Sequence, residues 1–266
     1  MMSISFSFLI PILCGWLAGW VVNYLSDVLP TTRRLSTPAC VQCGAPFSWT
    51  DYLLFRSCTN GHSRQFRAWA VQVAMIVLCV LAWLQPPTKI GGFFPALLLL
   101  IYFGIVFVID MEHRLILHMT SIVGAVLALV LGIIARGLVP TLLGGLGGFL
   151  IMMAFYLLGV WFSRVRAKRM VAQGLEADEE EALGAGDVIL VTVLGFLVGW
   201  PLVWFCILLS ILLGGFFSLL LVVGLLVTRK YEKNALMLFI PYGPYFLIGA
   251  YLIVFFPQFL AALVPG

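Results

Sequence analysis

Eight apolar runs along the chain constrain its fold more than any other feature. They lie near residues 4–25, 68–85, 92–109, 119–135, 139–162, 188–200, 202–227 and 235–263. A run of about 18 or more apolar residues is long enough to cross the hydrocarbon core of a bilayer as a helix. Hydrophobic residues make up 63% of the chain and charged residues only 10%, which excludes an ordinary soluble domain. The pattern predicts an all-α polytopic membrane protein with about eight transmembrane helices. The short sixth is expected either to start inside the membrane or to be partly buried by its neighbours.

The basic residues predict how these spans are oriented. Of the 15 Lys and Arg residues, 13 follow the first, third, fifth or seventh run, and only Lys89 and Arg136 lie on the opposite side. The positive-inside rule therefore places those 13 in the cytoplasm and both termini outside. No Lys or Arg precedes the first run, unlike in a cleavable signal peptide, so we expect a permanent span there. This distribution accounts for the net charge of +4 without nucleic-acid binding.

Two aspartates stand where apolar runs meet the predicted cytoplasmic face. Asp110 ends the run F-G-I-V-F-V-I-D, and Asp187 follows the small residues Gly184, Ala185 and Gly186 at the start of another run. An ionisable group at membrane depth is costly and is usually functional or paired. Because the third and sixth spans contain no Lys or Arg, we expect each aspartate to have the other as its partner.

Such a pair would suit the hydrolysis of a peptide bond. Two neighbouring carboxyl groups share one proton over a wide pH range. The ionised group takes a proton from water while the protonated group polarises a carbonyl, so proteolysis needs no metal. The small residues 184–186 would let an extended substrate approach the backbone. For Asp187 alone, an acid favoured by the dipole at the start of a helix is the alternative, and Asp110 on the same face favours catalysis.

Four stretches together resemble one family of membrane proteases. G-A-G-D, at residues 184–187, resembles the signature of the GxGD intramembrane aspartyl proteases. Three others resemble the first span, the first-aspartate motif and the last span of bacterial type IV prepilin peptidases: G-W-L-A-G-W-V-V-N-Y-L-S-D-V-L-P (15–30), F-V-I-D-M-E-H-R-L-I (107–116) and I-P-Y-G-P-Y-F-L-I-G-A-Y-L (240–252). The resemblance runs almost from end to end. It implies a fold of about eight helices in which Asp110 and Asp187 match the catalytic pair.

The resemblance also implies a substrate, which the residues alone do not. Members of this family cleave the leader peptides of type IV prepilins and type II secretion pseudopilins at the cytoplasmic face of the bacterial inner membrane. Their substrates combine a basic leader with an apolar helix. Many members then methylate the new amino terminus with S-adenosylmethionine. We therefore expect an aspartic endopeptidase that is also an N-methyltransferase, with a prepilin or pseudopilin and the lipid bilayer as its partners.

Three cysteines and a histidine in the first cytoplasmic loop have the spacing of a metal site. The loop contains C-V-Q-C-G and then S-C-T-N-G-H, which supply Cys40, Cys43, Cys58 and His62. Cytosolic thiols are kept reduced, so a structural disulfide is not expected. The spacing predicts a closed, tetrahedral, structural zinc site, with an unliganded or redox-active pair as the alternative. The family it resembles has a second C-x-x-C pair, whose last cysteine would fall at Gly61.

These features divide the chain into three predicted parts. Residues 1–29 form the first transmembrane helix, residues 30–67 the cytoplasmic Cys/His loop, and residues 68–266 a seven-helix peptidase core with a cytoplasmic loop at 163–187. An acidic run at residues 176–181 in that loop leads to the hypothesis that it attracts a basic leader, and an ordinary solvated loop is the alternative. Glu112 is expected to be a solvated residue at the membrane boundary.

Two other functions are open on the sequence alone. One is a transporter that uses the two aspartates as a proton or cation site, and the other is a catalytically silent assembly factor of a pilus or secretion machinery. A transporter typically holds its site at the bilayer midplane between related halves. Both aspartates are instead predicted at the membrane edge, and the sequence contains no visible repeat. The pattern therefore favours the peptidase.

Overall fold

The computed structural model describes residues 2–64, 66–172, 184–227 and 241–258, and these residues are largely helical. The α-helices are α1 (Met2–Thr32), α2 (Trp49–Leu53), α3 (Phe66–Leu84), α4 (Phe93–His113), α5 (His118–Arg136), α6 (Leu138–Ala172), α7 (Ala185–Val198), α8 (Leu202–Val227) and α9 (Gly243–Phe255). A 3-10 turn, Thr88–Ile90, precedes α4. In these ranges the only β-type pairing is an isolated bridge between Ala39 and Pro46. The all-α fold is confirmed.

The apolar helices correspond to the predicted spans. Within the described ranges, α1, α3, α4, α5, α6 and α8 are long and apolar enough to cross a membrane. The helices α7 and α9 are also apolar but have only 14 and 13 residues. The architecture is therefore that of a multi-pass membrane protein, with two short apolar helices beside six long ones.

Two helices extend beyond their apolar runs. α1 ends at Thr32 and α6 at Ala172, whereas hydropathy placed the ends near residues 25 and 162. Polar residues can continue a helix once it leaves the lipid, and hydropathy does not detect them. In α1 the added turns contain Ser26, which is fully buried, and in α6 they contain the exposed Arg164 and Arg166. The 35 residues of α6 span about 50 Å at about 1.5 Å per residue, more than the hydrocarbon core requires.

The chain forms two compact units, Met1–Thr120 and Ser121–Gly266. In the first unit α1, α3 and α4 pack against one another. Gly15 allows α1 to lie close to α3, because a Cβ at this position would be 2.6 Å from the Cα atom of Ile76. Small residues at such contacts let helix backbones approach in a membrane protein. The packing leaves 61% of the apolar window of α4 buried, so this helix is the centre of the unit.

In the second unit α7 packs against α6, α8 and α9. Gly144 and Gly148 form the small-residue face of α6, and both lie against α7. A Cβ on Gly148 would be 2.8 Å from the carbonyl oxygen of Val191. Most of α7 is consequently buried, including Val188, Leu194 and Leu197. The predicted burial of the short sixth span by its neighbours is confirmed.

Candidate functional site

Asp110 lies in the last full turn of α4. Its side chain is buried, with the residue 5% exposed. The helix ends after His113 because Arg114 adopts a left-handed conformation with φ +51°. The N–H of Arg114 donates to the carbonyl oxygen of Asp110 at 2.9 Å. The backbone of Asp110 is therefore part of the hydrogen-bonded end of the helix.

Asp187 lies in the first turn of α7. Gly184 precedes the helix in an extended conformation, and its carbonyl oxygen accepts the N–H of Asp187 at 3.0 Å. Gly184 and Ala185 are exposed, whereas Gly186 and Asp187 are half-buried. A Cβ on Gly184 would lie 3.7 Å from Oδ2 of Asp187, so a side chain at this position would contact the carboxylate. An acid in this turn is also favoured by the helix dipole, whatever its chemical role.

The pairing of the two aspartates stays a prediction. Asp110 belongs to the first unit and Asp187 to the second. Each occupies the end of an apolar helix, as the sequence predicts. The acidic run at residues 176–181 lies outside the described residues.

The four predicted metal ligands come together in the first unit. One ligand atom from each of Cys40, Cys43, Cys58 and His62 lies within 4.8 Å of the others, which is close enough to hold a metal ion. The Sγ atoms of Cys43 and Cys58 are 3.7 Å apart, and Sγ of Cys58 is 3.5 Å from Nδ1 of His62. A tetrahedral site with Zn–S bonds of about 2.3 Å has Sγ–Sγ edges of about 3.8 Å. These distances fit that geometry.

Two tight turns present the ligands. In the first, the N–H of Cys40 donates to the carbonyl oxygen of Ala45 and the N–H of Gly44 to that of Cys40, each at 2.8 Å. In the second, the N–H of Cys58 donates to the carbonyl oxygen of His62 at 3.0 Å and that of Gly61 to Cys58 at 2.8 Å. Gly44 and Gly61 have φ +71° and +80°, which glycine adopts without strain.

The second turn explains why histidine completes the cluster. Gly61 stands where the family pattern has its last cysteine, but here it adopts the left-handed conformation that the turn requires. A cysteine at this position would be strained, because L-residues with a Cβ disfavour positive φ. The next residue, His62, instead brings its imidazole to the cluster. The spacing therefore changes by one residue while the number of ligands stays at four.

The backbone also prepares Cys40 for metal binding. The N–H groups of Cys43 and Gln42 lower the pKa of the Cys40 thiol from 9.0 to about 7. A metal binds the thiolate rather than the thiol. The first turn therefore favours the form of Cys40 that a metal ion needs.

A charged network beside the cluster was not predicted. The carboxylate of Asp27, on α1, accepts hydrogen bonds from the hydroxyl of Tyr52, from Arg64 at 3.0 Å and from Arg67. The guanidinium of Arg64 also lies 4.0 Å from the ring centroid of Tyr52. Burial first, and then the charge of Asp27, raise the pKa of the Tyr52 hydroxyl, so this hydroxyl remains a donor.

Arg67 connects this network to the helix of Asp110. Its Nε lies 3.0 Å from Oε1 of Glu112, while its NH2 donates to Asp27. Glu112 is therefore ion-paired rather than simply solvated. The sequence signal was an acid near the end of the first span together with arginines three residues apart before the second span. That signal does not specify which charges meet.

A comparison with protein families finds a match in the central part of the chain. Residues 97–219 match the model of the type IV leader peptidase family. Over this segment the chain is similar to that family. The match confirms the predicted resemblance and shows a peptidase. No curated protein and no solved structure matches the chain significantly.

The limits of the match divide the candidate residues into two groups. The leader peptidase segment covers just under half of the chain and contains both Asp110 and Asp187. It begins after the Cys/His cluster and after Asp27, Arg64 and Arg67. The peptidase assignment consequently applies to the helices that carry the aspartates.

Proposed function

We propose that this protein is an aspartic endopeptidase that removes the leader peptides of type IV prepilins or type II secretion pseudopilins, with Asp110 and Asp187 as its catalytic pair. The observation that carries the proposal is that one leader peptidase match contains both aspartates. Each of them also lies at the end of an apolar helix. The family match favours this function over a transporter.

The proposed reaction uses the two carboxyl groups in opposite protonation states. The ionised group removes a proton from water, and the water oxygen attacks the scissile carbonyl carbon. The protonated group donates to the carbonyl oxygen, which forms a tetrahedral diol. Collapse of this intermediate breaks the C–N bond, and the nitrogen leaves as an amine after receiving a proton from the pair. That proton is the one taken from water. As the carbonyl re-forms, a hydroxyl of the diol returns its proton to the second group, so one carboxyl group is again ionised and the other protonated.

We propose that the small residues before α7 admit the substrate. Gly184 and Ala185 are exposed, and a Cβ on Gly184 would lie in van der Waals contact with Asp187 Oδ2, at 3.7 Å. An extended peptide needs such an approach to bring its carbonyl to a carboxylate. The residues 184–186 therefore form the substrate loop of the proposal.

The proposed location is the bacterial inner membrane, with the active site facing the cytoplasm and both termini outside. The support is the asymmetry of 13 basic residues on one side against two on the other. A leader that carries basic residues stays on the cytoplasmic side by the same rule. The enzyme and the bond that it cuts would then share one face of the membrane.

We further propose that the Cys/His cluster holds zinc in a structural role. Three thiolates and an imidazole form a closed tetrahedral set, which leaves no open position for a substrate. The cluster would tie residues 40–62 into one unit that is too short to bury a core of its own. Structural zinc supplies folding energy in such small loops.

Methylation of the new amino terminus is a separate proposal. The cavity beside the cluster, lined by Asp27, Cys40, Tyr52, Arg64 and Arg67 among others, has a volume of about 40 Å³. Pockets for ligands the size of S-adenosylmethionine have volumes of about 300 Å³ or more, so this cavity does not fit that group. This cavity therefore gives no support to the methylation proposal.

The test is mass spectrometry of a prepilin co-expressed with the protein. Cleavage removes the mass of the leader, and methylation adds that of one methyl group, so one spectrum reports both activities. Asp110→Asn and Asp187→Asn keep the side-chain size and should each abolish cleavage. An enzyme that still trims the leader with either substitution would refute the catalytic pair.

A further inference from the structure

An ion pair joins the last turn of α4 to α3. Nε of Arg67, at the start of α3, lies 3.0 Å from Oε1 of Glu112, and NH2 of the same guanidinium donates to Asp27 on α1. We infer that Arg67 and Glu112 form a charge clamp that fixes the last turn of α4 and thereby positions Asp110 for catalysis. This inference rests on the proposed function.

The three charged side chains are shielded enough for the clamp to act. The side chains of Asp27, Arg67 and Glu112 are 10%, 21% and 32% exposed. Salt screens partly buried pairs much less than fully exposed ones. Arg67 uses two different nitrogen atoms for its two carboxylates, as the planar guanidinium allows. One side chain therefore holds three helices of the first unit in a fixed relation.

The end of α4 needs such support. The last carbonyl groups of a helix lack partners within the helix, and the terminal turn frays first. Here the closing hydrogen bond runs from Arg114 N–H to the carbonyl oxygen of Asp110, and Arg114 has φ +51°. Because Arg114 is not a glycine, this conformation is strained. Release of the terminal turn would move the backbone of Asp110 itself.

The negative charge of Glu112 also supports its role in the clamp. A negative charge in the last turn of a helix is unfavourable, because the helix dipole places partial negative charge there. Glu112 is the second-last residue of α4 and has this unfavourable sign. The guanidinium of Arg67 offsets it at 3.0 Å. The pair therefore accounts for an acid at a position where the helix alone disfavours one.

The clamp also reaches the Cys/His cluster. Arg64 donates to Asp27 at 3.0 Å and lies two residues after the ligand His62. Asp27 therefore links Arg64, which follows the cluster in the sequence, to Arg67, which pairs with Glu112. Through these contacts, the turn that carries Asp110 depends on residues outside the leader peptidase segment.

The experiment measures kcat and KM for a prepilin peptide with the full-length protein in lipid. Glu112→Gln removes the charge but keeps the size, and we expect kcat to fall about tenfold with KM unchanged, as small misplacements of catalytic groups do. Glu112→Asp restores the charge and should recover much of kcat. Asp51→Asn is the matched control, since it breaks an exposed pair with Arg56 at 3.8 Å and should leave kcat unchanged.

The clamp is refuted if Glu112→Gln keeps the kcat of the native enzyme, if it changes KM alone, or if Glu112→Asp gives no recovery. Should Glu112→Gln fail to fold, Arg67→Lys is the second variant. Lysine keeps the charge but lacks the two separate nitrogen atoms with which Arg67 contacts Asp27 and Glu112. We therefore expect kcat to fall again with KM unchanged. The Asp110→Asn variant separates the two proposals: its activity would refute the proposed function, whereas its inactivity beside a fully active Glu112→Gln would refute only the clamp.

Discussion

Gly144 and Gly195 face each other in the contact of α6 with α7, and a Cβ on either would lie 2.3 Å from the carbonyl oxygen of the other. No side chain fits in that space. The helix that carries Asp187 is therefore held by a backbone-to-backbone contact. The position of this carboxylate depends on Gly195 in its own helix and on Gly144 in α6.

Gly195→Ala should destabilise the protein and lower its activity. The added methyl group meets a carbonyl oxygen that cannot move without shifting α6, and overpacking of this kind costs about 1–3 kcal/mol. Thermal unfolding in detergent measures the effect. Gly215→Ala in α8 is the control, because a Cβ there meets no atom within 4 Å. Equal midpoints for the two variants would contradict the close contact.

Substitutions at Gly184 should separate effects on substrate access to Asp187 from effects on folding. Gly184 has φ −77° and ψ 142°, which any residue adopts, and its Cβ would only touch Asp187 Oδ2 at 3.7 Å. Gly184→Ala should therefore be nearly as active as the native enzyme. Gly184→Val extends over the carboxylate and should lower kcat/KM about tenfold by displacing the substrate, with the thermal midpoint unchanged. A Gly184→Val enzyme of full activity would argue against the substrate loop.

Replacement of a single cluster ligand should release the metal. His62→Ala removes one of four ligand atoms within 4.8 Å, and the affinity for zinc should fall by about tenfold or more. Elemental analysis of the purified protein gives the bound zinc per chain. His62→Cys supplies another zinc ligand and should retain the metal, while Cys14→Ser, outside the cluster, is the control. Unchanged zinc in His62→Ala would exclude the assigned site.

Asp27→Asn should strongly destabilise the protein, although Asp27 lies outside the leader peptidase segment. The change leaves the guanidinium groups of Arg64 and Arg67 without their carboxylate, and loss of one partner of a buried pair costs about 3–5 kcal/mol. The midpoint of unfolding reports the loss. Asp51→Asn, which breaks only an exposed pair, should shift the midpoint little. A harmless Asp27→Asn would mean that Arg64 and Arg67 find other partners.

The sequence predicted the helices well because the lipid core demands long apolar runs. It did not predict that α1 continues to Thr32, since polar residues such as Ser26 are buried there by protein rather than by lipid. The Cys/His cluster was predicted correctly because its ligands are close in the chain, so their spacing determines whether they can meet.

The charged network shows what sequence patterns leave out. Asp27, Tyr52, Arg64, Arg67 and Glu112 are spread over four helices and a loop, and no local period connects them. Their contacts follow from the packing of α1, α3 and α4, which hydropathy does not determine. The pairing of Asp110 with Asp187 is a long-range relation of the same kind, and it stays a prediction.

The left-handed turn at Gly61 also affects the electrostatics of the loop. With zinc bound, four thiolates would carry a net charge of −2, whereas three thiolates and a neutral imidazole carry −1. Arg64, two residues after the imidazole, therefore faces a weaker counter-charge from the metal site and keeps its attraction for Asp27. The positive φ of Gly61 thus contributes to the pairing of Arg64 with Asp27.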